Sequence, residues 1–175
     1  MSSPVAGSLD LSSAVNARSA NFSMYNIDVK NTFGEGAQAV ALTANGDRQS
    51  YYGCGFYSYQ DTVYAKTGDQ YYSHCYFEGA VDYIFGKAAA WFEQCRIASN
   101  GGGAITANNR ATDTDTSWYV FNNSTITAAT GYNLTGDVYL GRPWDVEARV
   151  MYQYSDLSDI INAKGWTTMA TNATP

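Results

Sequence analysis

Two aspartates, Asp61 and Asp82, stand 21 residues apart, and two glutamines, Gln38 and Gln60, stand 22 apart. Gln60 directly precedes Asp61, so the four residues form two pairs on nearly one spacing. If that spacing is one circuit of a repeating fold, paired side chains face each other on adjacent rungs. Two carboxylates that close do not ionise together readily, so one keeps a proton while the other is free to attack. Amide N–H groups beside them can donate to an oxyanion forming on a carbonyl. The set suits acyl transfer, with one carboxylate as nucleophile and the other moving protons. Arg142, in the rigid frame Gly141-Arg142-Pro143-Trp144, is the arginine suited to holding the nucleophile ionised.

Other chemistries fit the residues less well. A Ser-His-Asp hydrolase would need the single histidine, His74, yet the chain has no Gly-x-Ser-x-Gly elbow. His74 adjoins Cys75 in a strand-like run, so the two side chains should point to opposite faces. Asp113-Thr114-Asp115 resembles part of a cation loop but lacks the remaining ligands and the glycine, and it reads as a solvated turn. No metal or cofactor is called for.

The element that must position the pairs is a ladder of aromatic-rich runs at 22–32, 51–62, 71–82, 91–100 and 119–127. Stacking them aligns Ile27, Cys54, Cys75, Cys95 and Ser124, and two residues later Val29, Phe56, Phe77, Ile97 and Ile126. A self-similar spacing of this size with alternating β-formers predicts an all-β solenoid, whose rungs lie about 4.8 Å apart. The three cysteines then form an inward, unbridged stack of small hydrophobes. Turn-forming loops are expected at 34–37, 43–49, 66–69, 99–103 and 108–117. Trp91 and Trp118 are expected to pack at coil starts. The whole of 1–175 reads as one domain, with a polar lead-in over 1–20, a frayed tail over 167–175 and a single helical candidate at Asp159-Ile160-Ile161.

Composition narrows the partners. A net charge of −6 and a pI near 4.5 argue against nucleic acid. No apolar run reaches bilayer length. Fifteen tyrosines and 16 glycines suit a β-rich surface that meets polar, ring-shaped ligands. The first residues lack a charged and apolar leader, while sequons at Asn21, Asn122, Asn123, Asn133 and Asn172 suit a secreted glycoprotein. The chain enters a coil almost at once and stops soon after the last, so it reads as a piece of a longer solenoid, with self-association expected at uncapped ends.

The segments AQAVAL, YQDT, GAVDYIFG and YLGRPW, in this order and spacing between about Asn21 and Trp166, resemble the hallmark segments of the pectin methylesterases of carbohydrate esterase family 8. The resemblance implies a right-handed parallel β-helix. It further implies a secreted enzyme acting on methyl-esterified galacturonate in pectin. By that resemblance Asp82 is the nucleophile, Asp61 the acid and then base, Gln38 and Gln60 the oxyanion donors, and Arg142 the partner of the nucleophile. Phe85 and Trp144, with Trp166, are implied to contact sugar rings. Tyr83 stands where the family commonly has phenylalanine, and the family's Gly-x-Tyr-x-Glu segment is not among these residues. The acidic pI fits the microbial members better than the plant ones. Two rival readings are a truncated, inactive pectin-binding solenoid and a pectin-cleaving glycosidase or lyase of the same fold. Against the latter, glycoside hydrolysis has no need of paired oxyanion donors, and a lyase needs an acidic calcium cluster that the sequence lacks.

Overall fold

A computed structural model describes residues 1–169. The part of the expected polar tail beyond Thr168-Met169 lies outside the described residues. The chain runs through three sheets in strict rotation, laying one strand on each per circuit. The first sheet holds Val15–Ala17, Leu42–Asn45, Val63–Thr67, Ile84–Gly86, Gly103–Asn108 and Val138–Gly141. The second holds Ser23–Tyr25, Gln49–Tyr52, Asp69–Ser73, Ala89–Glu93, Trp118–Asn122 and Val150–Gln153. The third holds Asp28–Lys30, Gly55–Tyr57, Tyr76–Gly79, Arg96–Ser99, Thr125–Ala128 and Asp156–Leu157. Every pairing is parallel, so this is the β-helix, and crossovers between parallel strands of one sheet take the right hand.

The ladder read in the sequence is the core. Val29, Phe56, Phe77, Ile97 and Ile126 pair rung to rung and are all buried. Cys54, Cys75 and Cys95 precede the paired residues Gly55, Tyr76 and Arg96, and their thiols are buried and free. Ile27 departs from its series: it is half exposed, although Val29 in the same edge coil is buried. On the second sheet a column of rings runs Tyr51, Tyr72, Phe92, Phe121, Tyr152, with centroids 4.8, 4.8, 4.4 and 4.5 Å apart and planes within 11°. Backbone hydrogen bonding fixes the rung repeat, and that repeat is close to ring-stacking distance, so each aromatic fits without bending the sheet.

Corners between sheets are tighter than expected. The loops expected at 43–49 and 66–69 shrink to Gly46-Asp47-Arg48 and to Gly68, because a positive φ at Arg48 (51°) and at Gly68 (80°) turns the chain within a residue or so. A side chain at Gly68 would meet the Gly46 carbonyl at 2.6 Å, so the glycine is needed for contact as well as for turning. The corner between the second and third sheets is a column of left-handed residues, Asn26, Gly53, His74, Gln94, Asn123 and Tyr154.

Helical structure lies elsewhere than expected. It forms in the lead-in, at Ser3–Ala6 (α1) and Leu9–Ser12 (α2), where Pro4 fits the first turn and Ser8 accepts the Leu11 N–H. Ile161 instead makes an isolated bridge to Val138. Trp91 and Trp118 face outward, 36% and 39% exposed, over a shallow groove beside Tyr71 and Ser50. The inward alternates on their strands, Phe92 and Tyr119, take the core instead, as the period of two requires.

Candidate active site

Asp61 and Asp82 occupy one corner on successive rungs, where the chain enters the first sheet. Both have positive φ, 62° and 48°, a conformation that aspartate tolerates better than most residues. Gln60 bridges Val81 in parallel, and the Asp61 N–H donates to the Val81 carbonyl at 3.0 Å. That register sets Asp61 over Asp82, about 4.8 Å apart along the axis. The Ala39 N–H donates to the Gln60 carbonyl at 3.1 Å, which sets Gln38 over Gln60 in the same way. The extra residue in the glutamine spacing is absorbed just beyond, where the Thr62 carbonyl accepts from both Ala41 and Leu42 at 2.9 and 3.2 Å. All four residues expected to act together therefore stand at one corner.

Their environments differ. Asp82 accepts two parallel bonds from Arg142, Nε to Oδ1 and Nη2 to Oδ2, both 2.8 Å. Such a fork is a charge-assisted, bidentate contact that fixes the carboxylate in place. Arg142 is aimed by its strand: its N–H donates to the Thr106 carbonyl at 2.9 Å, and Pro143 follows. Asp61 is 4% exposed, and among the described residues no side chain donates to its carboxyl. Burial, with the negative Asp82 adding and Arg142 opposing, pushes Asp61 up to about 8. At neutral pH the corner thus pairs a cation-held carboxylate with a proton-bearing one. The Gln38 and Gln60 side chains are half-buried, and neither amide has a protein partner among the described residues, so both are free to donate.

The aromatic floor is layered. Phe85, expected to meet sugar rings, is 2% exposed; it stacks on Tyr64 at 4.6 Å and lies 6.1 Å from Trp144. Trp144 and Tyr64 are the half-exposed rings there, and Leu9 of α2 packs against the same cluster. Tyr64 carried no motif signal of its own, although a ring two residues past the Gln60-Asp61-Thr62 run on an outward phase could have been read. Trp166 bridges Gly141, lies 6.2 Å from Tyr152, and shares a 340 Å³ pocket with Arg142. His74 is exposed on a different corner, bonded to Ser73 Oγ at 2.8 Å, so it takes no part in this constellation. Asp115 accepts from the Ala111 and Thr112 N–H groups and pairs with Lys87, the turn role read for it in the sequence.

A family model described as Pectinesterase matches residues 6–175. The chain belongs to the pectinesterase family. It is 65% identical over its whole length to Pectinesterase A of Emericella nidulans and 63% identical to the probable pectinesterase A of Aspergillus niger, in each case covering 54% of the relative. The crystal structure of the pectin methylesterase from Aspergillus niger superimposes with a TM-score of 0.98 at 63% identity, over 99% of this chain and 58% of that one. The pectin methylesterase from carrot superimposes at 0.88 with 32% identity, over 92% of this chain and 53% of that one. The chain thus spans about half the length of the relatives it matches. The pectinesterase match starts at residue 6, well before Asn21, where the motifs become readable, so most of the lead-in, with the helix Leu9–Ser12, lies within the matched span. The tyrosine at position 83 is also accommodated: its hydroxyl bonds Ser99 Oγ at 3.0 Å inside the core.

Proposed function

We propose that this chain is the catalytic part of a secreted pectin methylesterase that hydrolyses methyl esters at C6 of galacturonate in pectin. The observation that carries the reading is the divergence of two carboxylates one rung apart, Asp82 held by the Arg142 fork and Asp61 buried without a cation of its own. The Asp82 carboxylate attacks the ester carbonyl, and the Gln38 and Gln60 amides donate to the oxyanion. As the bond to the methoxy group breaks, Asp61 gives its proton to that oxygen and methanol leaves. The acyl group is now an anhydride on Asp82. Asp61, ionised, takes a proton from water as the water oxygen attacks the acyl carbon. Asp82 leaves as carboxylate, and Asp61 is protonated again. Trp144 offers a face for a pyranose ring above Phe85. Methyl-esterified stretches are neutral, so the acidic chain meets no repulsion there.

The test separates products. Methyl-esterified pectin incubated with the protein should release methanol without new reducing ends. Asp82→Asn should abolish that release with the fold intact, and His74→Ala should leave it unchanged. Reducing ends or unsaturated uronates without methanol would place the chain among the pectin-cleaving β-helices, and binding without any product would leave it a pectin-binding solenoid.

A further inference from the structure

Arg110 has the largest fully buried side chain in the described protein, 2% exposed, in a chain where charge is scarce. Its guanidinium joins two loops that no strand pairing connects. Nε donates to the Asp115 carbonyl at 2.9 Å and Nη2 to the Asp113 carbonyl, both in the loop after Gly103–Asn108. Nη1 donates to the Glu147 carbonyl at 3.0 Å and reaches Glu147 Oε2 at 3.5 Å, in the arm that follows Val138–Gly141. The Glu147 N–H returns a bond to the Arg110 carbonyl at 3.0 Å. Only the rigid five-donor fork of arginine serves carbonyls in two loops at once, and the half-exposed Glu147 carboxylate supplies the countercharge.

The arm held this way carries Arg142 and Trp144. Arg142 has its own anchor on Thr106, on the rung below. Trp144 is held by one main-chain bond, N–H to the Asn108 carbonyl at 3.2 Å, and by its ring contact with Phe85. Along the arm, Pro143, Val146 and Ala148 line an open 340 Å³ pocket shared with Trp166, so this stretch leans on its tethers where it faces the pocket. We infer that Arg110 is a positioning residue that fixes Trp144 over the carboxylate corner and so sets how well the enzyme holds its sugar chain. This rests on the pectin methylesterase reading for its kinetic arm alone.

The test uses Arg110→Met, with Arg110→Lys beside it. Kinetics on methyl-esterified pectin should show KM raised about tenfold with kcat within about threefold, because one aromatic contact is displaced while Arg142 keeps its strand anchor. The high-pH limb of the activity should not move. Lysine should fail to rescue, since a single ammonium cannot span both loops. Independently of activity, the Trp144 indole N–H resonance, assigned through Trp144→Phe, should shift or broaden in Arg110→Met while that of Trp91, on another sheet, stays. A variant that only melts earlier, with KM and the Trp144 resonance both unchanged, overturns the inference. A wild type that releases no methanol defeats the esterase reading instead, and the indole resonance then still decides the role of Arg110.

Discussion

Replacing Asp61 with asparagine tests both the electrostatics and the chemistry of the corner. Asparagine keeps the shape, tolerates the positive φ of 62°, and stays neutral at every pH. Asp61 is raised to about 8 chiefly by burial, so the folded protein keeps this proton through a range in which the unfolded chain has already lost it. The sign follows: the folded state binds more protons between about pH 4 and 8, so stability falls as pH rises through that window. From the unfolded value to pH 7 is about three pH units, which at about 1.36 kcal/mol each is a loss on the order of 4 kcal/mol. Urea melts of wild type and Asp61→Asn at pH 4 and pH 7 give the double difference, in which titrations not coupled to Asp61 cancel. The variant should gain at least about 2 kcal/mol on wild type between the two pH values. Its methanol release should be lost at all pH, and that of the wild type should fall as pH rises through about 8, where the proton donor ionises. Stability curves that run parallel within about 0.5 kcal/mol would refute the claim that burial holds this proton.

Gln60→Ala should lower kcat by about 10²–10³-fold with little change in KM, if its amide meets the oxyanion; an unchanged kcat removes it from the site. Phe92→Ala, in the middle of the ring column, should cost about 3–5 kcal/mol in denaturant melts, because rings stack on it at 4.8 and 4.4 Å and the rungs cannot collapse into the gap. Thiol alkylation followed by mass spectrometry should label Cys54, Cys75 and Cys95 only after denaturation, and a Cys54–Cys75 bridge would contradict the buried column. If the protein is glycosylated, peptide mapping should find glycan on the exposed Asn133 and not on Asn122, whose Nδ2 already bonds both Glu93 carboxylate oxygens.

The ladder was legible because a solenoid repeats its core residue types in the same phase. Cys54, Cys75 and Cys95 announced one column, and Phe56, Phe77 and Ile97 another. The carboxylate and glutamine pairs were legible for the same reason, since spacing alone implied stacking. What stayed hidden depends on backbone conformation or on three-dimensional cover. Nothing in composition says that Arg48 turns a corner at positive φ, so 43–49 looked like an open loop. Phe85 lies in a hallmark segment, yet its burial is decided by Tyr64 and Trp144 from other rungs. Arg110 sat in a polar stretch that reads as solvated, and only the fold shows three carbonyls converging on it.

The left-handed corner column has a consequence for how such a site tolerates change. Successive corner residues there lie as few as 20 positions apart, His74 to Gln94, and as many as 31, Asn123 to Tyr154. The surplus leaves the barrel as loops, while the strands return to the same rung height each time. The spacing of the two aspartate backbones is likewise set by the pitch of main-chain hydrogen bonding, a length that changes in the loops do not alter. Loops between rungs are free to lengthen, shorten or change sequence, and so to alter which stretch of a polymer is admitted, without moving the reacting groups relative to each other.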